Sequence, residues 1–527
     1  MGSASKLTGP KVKTVFLEDL PSDDAAKFSA EPSGLVNLGN TCYLNSVIQC
    51  LRAVPQLRTG LSTYRMVQQG GGASNGARAQ SHGMILSSLR ELYGSLDRTA
   101  DAVTPANFVM CTKLAFPEFA RTGPGGQPMQ QDAEEFFSGL LTIASGEITS
   151  KEAIAAGIQS GREGVTTPLG DRELMGANNL VDAVFGLKME ETLTCDETAT
   201  MPEATSEEAG VDTMDVDGAL VANDAVSSAT VEPLVKSYDL HRKLVCNIQG
   251  GSDGTSQVNV NHIQEGISLS LNGKIEKRSE VLGRDAVWTR KQRIARLPPV
   301  IVVQFGRFYW KQTPDSQDHS GVKCKVMKPV AFSGILDIYD FCSEEVQKVL
   351  RVARERASKE DEERIAKKLK GEEEKESAES MDTSSDDAKK PIGTDDDDDE
   401  EAIALKAALA MSVQVDLGGN DQVEEELAPV GPGLPKDFQG QYEIFAVVTH
   451  KGRDADGGHY MGWVKDDRPR VKGAAEKEKI GDTDEEDDDW FVFDDDGVSP
   501  CKTEDVLKLK GGGDWHMSYL NFYRAKK

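Results

Sequence analysis

The feature that most constrains the fold is a change in the spacing of apolar residues along the chain. Between residues 33 and 141 they recur three and four positions apart, over 45–57, over 84–96 and in a third segment that Asp132 opens, which predicts helices. Later apolar runs are short and either alternating or β-branched, which predicts strands. These runs lie at 244–248, 267–271, 300–305, 442–448, 460–464, 490–493 and 519–523. Helices followed by strands, rather than alternating with them, indicate an α+β fold.

Three polar stretches interrupt this pattern. Residues 196–232 are poor in large apolar side chains, residues 371–435 include the acidic run 395–401, and residues 466–489 contain a second acidic stretch. Chains of this composition bury too little apolar surface to offset their conformational entropy. We therefore predict disordered insertions that do not contribute to the fold.

The domain layout follows from these boundaries. A charged helix over 343–370, with Ser343 as its N-cap, precedes the second insertion. Residues 1–33 are a linker or extension in which 12–16 favour a short strand. We predict one large domain over 34–525, into which the three polar stretches are inserted.

The charge balance excludes some partners. Lys and Arg number 60 against 88 Asp and Glu, which gives a formal net charge of −28. Nucleic-acid binding needs clustered basic residues, so we expect no nucleic-acid partner. No apolar run approaches the roughly 20 residues that span a bilayer, and the N-terminus lacks the apolar core of a signal peptide. We expect no membrane partner either.

The eight cysteines lie far apart in the sequence, and no CxxC pair occurs. This spacing argues against a disulfide framework and against a zinc ribbon. We therefore expect a reducing location, in the cytoplasm or the nucleus, and neither a bound metal nor another cofactor.

Cys42 is the candidate nucleophile, because it lies where the motif GLVNLGNTCYLN at 34–45 enters the first predicted helix. Free N–H groups and the helix dipole at such a start lower the pKa of a thiol and favour the thiolate. Gly39 allows the tight backbone turn that precedes the helix. The alternative for a lone cysteine at a helix start is a small buried apolar residue, which is our interpretation of Cys50.

His459 is the candidate base for this thiolate, which needs an imidazole and a group that fixes its tautomer. It follows Gly457 and Gly458, which would let an extended substrate pass close by, and it leads into a predicted strand. Asp494 ends a later strand and is the candidate orienting group, although aspartates at such a place also form ordinary turns. His450 is a weaker candidate base, because it precedes the glycine-rich stretch.

These segments resemble the conserved blocks of the ubiquitin-specific proteases. Residues 34–51 resemble the cysteine box of that family, and 457–464 with 490–495 resemble its histidine box. Two further stretches also look like family blocks, at 130–136 and 296–308. With four blocks in the family's order, the chain is identified as a member. It is most similar to the proteasome-associated branch, ubiquitin carboxyl-terminal hydrolase 14, at 13–19, 449–453 and 511–516.

The resemblance implies a fold and an activity. The fold is papain-like, with a helical thumb, a β palm and β fingers that cradle ubiquitin. The activity is that of a deubiquitinating thiol protease, which hydrolyses peptide and isopeptide bonds at the C-terminal glycine of ubiquitin. For this branch the expected task is trimming ubiquitin from substrates of the proteasome.

The resemblance also implies roles for individual residues. Cys42 matches the family's nucleophile, His459 its general base and Asp494 the residue that orients that base. Asn37 matches the side chain that stabilises the oxyanion.

A second set matches residues that bind the C-terminal tail of ubiquitin. Asp132 and Glu135 match carboxylates that hold the tail's arginines, in keeping with charge-assisted pairing to guanidinium groups. Gly457 and Gly458 would line the path of the tail.

Two features depart from the family, and a third is expected from the resemblance to the branch. Many members carry a zinc ribbon in the fingers, whereas only Cys195 and Cys246 lie near those positions here, so we predict no metal. The branch carries an N-terminal ubiquitin-like domain that docks on the proteasome, and this sequence starts where that domain would end, so we expect no docking by that route. In the free enzymes of this branch, loops cover the channel for the ubiquitin tail, and 451–458 is the candidate for one such loop here.

Residues 400–412, inside the second insertion, resemble a ubiquitin-interacting motif. An acidic run precedes a helical face, and acidic residues favour a helix N-terminus. The face consists of Leu405, Ala408, Leu409 and Ser412. Small Ala408 would let this face approach a flat apolar patch. The alternative is a solitary amphipathic helix in a loop.

Two competing functions share most of these features. The first is a catalytically weak regulator that binds ubiquitin at the proteasome. The second is a protease for a different ubiquitin-like modifier. The complete set of Cys42, His459, Asp494 and Asn37 favours an active deubiquitinase, because a binding scaffold needs none of them.

Overall fold

The computed structural model describes residues 32–66, 73–123, 125–162, 174–197, 232–249, 259–311, 322–379, 427–454, 457–467 and 489–526. The predicted strand at 12–16, the motif at 400–412 and most of the three predicted insertions lie outside these residues. No helix in the described ranges is long and apolar enough to cross a membrane. The chain divides into one unit of 1–348 with 429–527 and a second of 349–428.

The first part of the structure is helical, as predicted. Its helices are α1 (Cys42–Arg52), α2 (Pro55–Thr63), α3 (Ala73–Leu96), α4 (Ala106–Ala115), α5 (Ala133–Glu147), α6 (Lys151–Ser160) and α7 (Leu180–Val184). Asp132 caps α5, where its side chain accepts a hydrogen bond from Glu134 N. The helical spacing that begins at 45 stops at Pro55, as predicted, and Pro55 begins a second helix, α2, at a position where its missing N–H costs nothing.

An eight-stranded sheet follows and makes the palm. Its strands are β3 (Leu244–Cys246), β6 (Val300–Phe305), β9 (Ile335–Asp337), β10 (Gln441–Lys451), β11 (His459–Lys465), β12 (Asp489–Asp494), β13 (Gly497–Lys502) and β14 (Met517–Ala525). The order is β13-β12-β11-β10-β14-β6-β3, with β9 also paired to β10. The pairs are antiparallel except β3 with β6. The strands predicted at 300–305, 442–448, 460–464, 490–493 and 519–523 are confirmed.

Two smaller sheets complete the first unit. One has the order β2-β1-β5-β4, from β1 (Leu187–Cys195), β2 (Val235–His241), β4 (Asn272–Arg278) and β5 (Asp285–Arg296). The other is a hairpin of β7 (Phe308–Lys311) and β8 (Val322–Lys325). The four-stranded sheet forms the fingers of the papain-like α+β fold.

The strand predicted at 267–271 is wrong, because this segment belongs to helix α8 (Ile263–Leu271). Ile263, Ile267 and Leu271 are four residues apart and buried, so they share one helical face that an alternating pattern also fits. The Glu265 carboxylate accepts hydrogen bonds from the backbone N–H groups of Asn261 and His262 and stabilises the start of the helix.

The second insertion differs from its predicted bounds at both ends. The charged helix α9 (Glu344–Glu379) runs further than 370. The predicted end at 435 is wrong, because Val430 and Leu434 are buried, and Leu297 N donates to Val430 O at 2.9 Å. A Cβ at Gly431 would lie 1.7 Å from Leu297 O, so only glycine fits there. Within 371–435, the last residues thus contribute to the fold.

The finger sheet has a small apolar core of its own, formed by Leu193, Cys195, Ala286 and Trp288. Trp288 Nε1 donates to Lys277 O at 3.0 Å, which satisfies its one polar group. Cys195 is buried in this core, whereas Cys246 lies in β3 of the palm. The two cysteines that remain near the family's zinc positions therefore belong to different sheets.

Helix α1 packs against the palm and fixes the position of Cys42. Its residues from Cys42 to Leu51 are all buried. A Cβ at Gly462 of β11 would lie 3.1 Å from Ser46 O, so glycine at this position permits the close approach of helix and strand. As a result, the start of α1 lies beside the start of β11. Three further short elements are 3-10 turns at Pro117–Ala120 and Tyr339–Phe341 and helix α10 (Thr503–Leu507).

Candidate active site

The loop before α1 is folded around the side chain of Asn37. Its Oδ1 accepts hydrogen bonds from Gly39 N at 2.9 Å and from Thr41 N at 3.3 Å. Gly39 and Asn40 have φ of 94° and 52°, the left-handed region that glycine and asparagine tolerate best. The chain then enters α1 at Cys42, which is 3% exposed. Asn37 and Cys42 are thus held together at the start of the helix.

His459 and Asp494 come from neighbouring strands of the palm. His459 is the first residue of β11, Asp494 is the last of β12, and His459 Nε2 lies 2.6 Å from Asp494 Oδ1. Hydrogen bonds with Cys42 and then with Asp494 raise the pKa of His459 to about 9, against the effect of partial burial. These contacts favour an imidazolium beside the thiol.

Asp495 is part of the site, although the sequence pointed only to Asp494. Its carboxylate accepts hydrogen bonds from Asn37 Nδ2 and Asn45 Nδ2, both at 2.8 Å. Its φ of 53° turns the chain after β12, and Leu35 N donates to its backbone carbonyl. The signal in the sequence was the run of three aspartates at a strand end, which is equally typical of a turn.

Gln130 is a second residue that sequence reasoning left without a role. Its Nε2 lies 3.3 Å from Cys42 Sγ. An amide N–H directed at the sulfur stabilises negative charge on it. Gln130 lies in one of the blocks that resemble the family, which was the one indication of its importance.

The two carboxylates predicted to bind the ubiquitin tail lie near each other but differ in setting. Asp132 is 8% exposed, and its Oδ1 accepts from Tyr519 Oη at 2.7 Å and from Glu134 N at 2.8 Å. Lys323 Nζ lies 3.7 Å from its Oδ2. Glu135 is exposed, although partial desolvation of its carboxylate and then the negative charge of Asp132 raise its pKa. Asp132 and Glu135 thus form a negatively charged site, and the ammonium group of Lys323 already lies beside Asp132.

Gly457 and Gly458 lie immediately before His459, as the sequence requires, and the structure gives a reason for the second. Gly458 has a φ of 102°, and a Cβ there would lie 2.2 Å from Lys451 O and 2.6 Å from His450 Nε2. Glycine is therefore needed by the fold of the loop itself.

His450, the weaker candidate base, is fully engaged elsewhere. Its Nδ1 lies 2.6 Å from Lys325 Nζ and its Nε2 lies 2.9 Å from Gly457 O. Burial and the charge of Lys325 lower the pKa of His450 to about 3. It is a neutral structural histidine with neither ring nitrogen available for proton transfer.

One group of three potential metal ligands occurs within the part of the chain that the structure describes. It consists of His459, Asp494 and Asp495, whose ligand atoms lie within 4.8 Å of one another. All three already serve the arrangement above, His459 with Asp494 and Asp495 with two amides. The residues of the 400–412 motif lie outside the described ranges.

The site and the fold define a papain-like thiol hydrolase, in which a helix supplies the cysteine and a sheet supplies the histidine and the carboxylate. A sequence model described as "Ubiquitin carboxyl-terminal hydrolase" matches residues 33–523. The chain belongs to this family, and it is a thiol-dependent deubiquitinating enzyme.

Individual relatives match over the whole chain. Ubiquitin carboxyl-terminal hydrolase 6 of Arabidopsis thaliana is 32% identical over 530 residues, which cover 100% of this chain and 85% of the relative. Ubiquitin carboxyl-terminal hydrolase 7 of the same plant is 31% identical, with 100% and 84% covered. Ubiquitin carboxyl-terminal hydrolase 14 of Caenorhabditis elegans is 25% identical, with 100% and 80% covered.

The pKa of His459 predicts how activity depends on pH. The imidazolium should be lost as the pH rises through about 9, so kcat/KM for a ubiquitin C-terminal fluorogenic amide should fall there. Asp494→Asn removes a negative charge that stabilises the imidazolium, so the fall should begin at lower pH. Asp496→Asn is the control, because Asp496 is exposed and lies one residue beyond Asp495. An unchanged alkaline limb in Asp494→Asn would contradict the assignment.

The contacts of Asn37 predict a transition-state effect. Removing one oxyanion donor typically costs about 10²–10³ in kcat, so Asn37→Ala should lower kcat by this order with little change in KM. Asp494→Ala should reduce kcat more than Asp495→Ala, because Asp495 acts only through Asn37 and Asn45. Steady-state kinetics with the same fluorogenic substrate measure both. Equal or reversed effects of the two aspartate variants would move the orienting role to Asp495.

Proposed function

We propose that the chain hydrolyses peptide and isopeptide bonds at the C-terminal glycine of ubiquitin, with Cys42 as nucleophile, His459 as general base and acid, and Asp494 as the residue that orients His459. One observation carries these assignments. Interaction with Cys42, at the start of α1, is the largest cause of the raised pKa of His459, whose Nε2 lies 2.6 Å from Asp494 Oδ1. A helix start and an imidazolium together stabilise a thiolate.

The reaction proceeds through a thioester. Cys42 Sγ attacks the carbonyl carbon of the terminal glycine, and the charge that develops on the carbonyl oxygen is stabilised by Asn37 Nδ2 and the free N–H groups at the start of α1. The C–N bond then breaks, and His459 gives its proton to the leaving amine. Water next attacks the thioester while His459 accepts its proton, which releases the ubiquitin carboxylate and restores the thiolate–imidazolium pair.

The tail of ubiquitin is proposed to bind at Asp132 and Glu135 before it reaches Cys42. The negative charge of this pair suits guanidinium groups, which bind carboxylates more specifically than an ammonium group does. Lys323 lies 3.7 Å from Asp132 Oδ2, so an incoming arginine must compete with it. Gly457 and Gly458 would face the last residues of the tail.

A regulator that binds ubiquitin without cleaving it is the competing function, and the contacts at Cys42 distinguish the two. A binding surface has no need of a buried thiol that contacts both an imidazole and the Gln130 amide. Reaction with a ubiquitin probe that bears a C-terminal electrophile tests nucleophile and specificity together. Probes of the same design made from other ubiquitin-like modifiers test the remaining alternative, a protease for a different modifier.

We expect Cys42→Ala to abolish hydrolysis of the ubiquitin fluorogenic amide, because no other thiol occupies its place. Cys50→Ala is the matched control on the same helix. Burial raises the pKa of Cys50, so it stays a thiol, and most of the activity should survive its removal. Full activity in the Cys42→Ala protein would refute the thiol mechanism at this residue.

A further part of the proposal is that the free enzyme is slow because its own loops close the channel for the ubiquitin tail, and that it trims ubiquitin from proteasome substrates in the cytoplasm or the nucleus. Resemblance to the proteasome-associated branch and two contacts of the loop support this. Arg453 makes a two-pronged ion pair with Asp514, at 2.5 and 2.9 Å, and Lys451 Nζ lies 4.8 Å from the Trp515 ring centroid. Both tie the loop before His459 to the chain before β14.

The loop contacts are weak enough for a partner to break. Arg453 and Asp514 are 76% and 62% exposed, and exposed ion pairs are worth about 0.2–1 kcal/mol. Asp514→Asn should therefore raise kcat/KM of the free chain by about two- to fivefold at most. Asp505→Asn is the matched control, since Asp505 pairs with Lys508 away from the loop.

The same assay should be run with purified proteasomes whose own deubiquitinases are blocked. The proposal predicts slow turnover by the wild-type chain both alone and beside proteasomes, and faster turnover by Asp514→Asn. A large gain with proteasomes would show that contacts of the residues in this chain are enough for activation. Fast turnover by the chain alone, with no gain from proteasomes, would contradict it.

The segment 400–412 is proposed to recruit ubiquitin chains, on its sequence alone. Ala408→Gln together with Ser412→Ala should weaken binding of the isolated segment in an NMR titration of ubiquitin, because both changes alter the face that Leu405 and Leu409 anchor. The thermal stability of the whole protein should barely change. A wild-type segment that leaves the ubiquitin resonances unshifted would end this proposal.

A further inference from the structure

The neck of the loop before His459 is held by a lysine from the hairpin of β7 and β8. Strands β10 and β11 stay paired as far as His459, so the loop closes directly on that residue. Lys325 Nζ lies 2.6 Å from His450 Nδ1, 3.1 Å from His450 O and 2.7 Å from Gly452 O. An ammonium group has three N–H donors. Each of the three has an acceptor in the neck of this one loop.

The two partners of His450 fix its tautomer. A carbonyl oxygen only accepts, so the ring proton lies on Nε2, toward Gly457 O, and Nδ1 accepts from Lys325 Nζ. His450 Nε2 then donates to Gly457 O at 2.9 Å, on the returning side of the loop. Lys325 and His450 thereby connect Gly452 on the outgoing side to Gly457, two residues before His459.

The ring of His450 is a rigid spacer at this point. It is 1% exposed and lies edge-on to the rings of Phe308 and Tyr460, at centroid distances of 5.3 and 4.6 Å. A Cβ at Gly458 would lie 2.6 Å from His450 Nε2, so the chain passes directly over the ring. The imidazole therefore determines where the backbone lies immediately before His459.

The amine of Lys325 loses part of its hydration at this position, which costs free energy. Burial, together with the charge of Arg307, lowers the pKa of its amine to about 7. The other ionisable groups that act on His450 are Lys323 and His516, neither of which supplies negative charge. A partly buried amine whose hydrogen bonds go to neutral atoms is less favourable than an apolar side chain of similar length. A side chain that only filled this space would not need the charge.

We propose that Lys325 and His450 are positioning residues for the reaction: together they clamp the neck of the loop at Gly452 and Gly457 and hold His459 within reach of both Cys42 and Asp494. The proposal rests on the role assigned to His459 above. It also separates two tasks of one loop, because the neck orients His459 while the exposed Arg453 ion pair can be broken without disturbing it.

Two substitutions of His450 test the clamp from opposite sides. In His450→Gln the amide nitrogen lies near the position of Nε2 and can still donate to Gly457 O. In His450→Asn the amide oxygen lies near the position of Nδ1 and can still accept from Lys325, but the bond to Gly457 is lost. Lys325→Met removes the ammonium group and keeps the length of the side chain, and Lys328→Met is the control on the same segment.

The readout that isolates positioning is the rate at which iodoacetamide alkylates Cys42, followed by mass spectrometry of the Cys42 peptide between pH 5 and 9. A thiolate held by an imidazolium reacts well below the ordinary thiol pKa of about 8.5, whereas an unassisted thiol does not. At pH 6 the rate should fall about tenfold or more in Lys325→Met and His450→Asn, and less in His450→Gln. Lys328→Met should behave as wild type.

Steady-state kinetics with the ubiquitin fluorogenic amide complete the test. Because a displacement of about 1 Å can cost about 10²-fold in rate, kcat should fall by on the order of 10- to 100-fold in Lys325→Met and His450→Asn, with KM changed less than threefold. Melting temperatures check that each variant is folded, and partial rescue by His450→Gln excludes a general packing defect.

Each outcome supports or overturns the clamp. Wild-type alkylation of Cys42 in folded Lys325→Met, equal behaviour of the Gln and Asn variants, or a change confined to KM would overturn it. The alkylation assay contains no ubiquitin, so it stands apart from the proposed function. Loss of alkylation in the variants supports the clamp even if the wild-type enzyme fails to cleave the ubiquitin substrate.

Discussion

The packing of α1 against β11 is the contact on which the active site depends. Cys42 belongs to the helical part of the chain and His459 to the sheet, and they meet because glycine at 462 lets the strand approach the backbone of Ser46. The residues from Cys42 to Leu51 are buried by this contact and its surroundings. Since packed interiors do not deform continuously, the distance from thiol to imidazole is set by the fit of two whole elements. Substitutions anywhere in the contact between α1 and β11 should therefore lower the reactivity of Cys42 before they unfold the protein.

Local patterns predicted most of the fold and the central residues of the site. Cys42 stood at a helix start and His459 behind two glycines at a strand start, and both positions can be read from a few neighbouring residues. The error at 267–271 had a local cause as well, because residues four apart satisfy both a helical and an alternating pattern. Asp495 and Gln130 could not be assigned in this way. Asp495 contacts Asn37 across 458 positions of sequence, and such a pairing depends on the tertiary fold.

The two histidines of the loop show how strongly the surroundings decide a residue's chemistry. His450 and His459 lie nine positions apart on paired strands, and both were candidate bases. Hydrogen bonds with a thiol and a carboxylate raise the pKa of His459 to about 9, whereas burial beside the ammonium group of Lys325 lowers that of His450 to about 3. The residue type is the same and both histidines flank one glycine-rich stretch, so the difference in pKa resides in partners from other elements: helix α1 and strand β12 for His459, and strand β8 for His450.

The hydrogen bonds of Asn37 have a consequence for regulation. In the free enzyme its oxygen is bound by the loop before α1, and one N–H is bound by Asp495, which Asn45 holds in turn. An amide restrained from both ends has little conformational freedom left to lose when a substrate arrives, so its electrostatic effect is preorganised. A partner that switches such an enzyme on has no oxyanion site to build. Under the regulation proposed above, its free energy of binding would be available for admitting the substrate tail, so the proposal places control at entry rather than at bond cleavage.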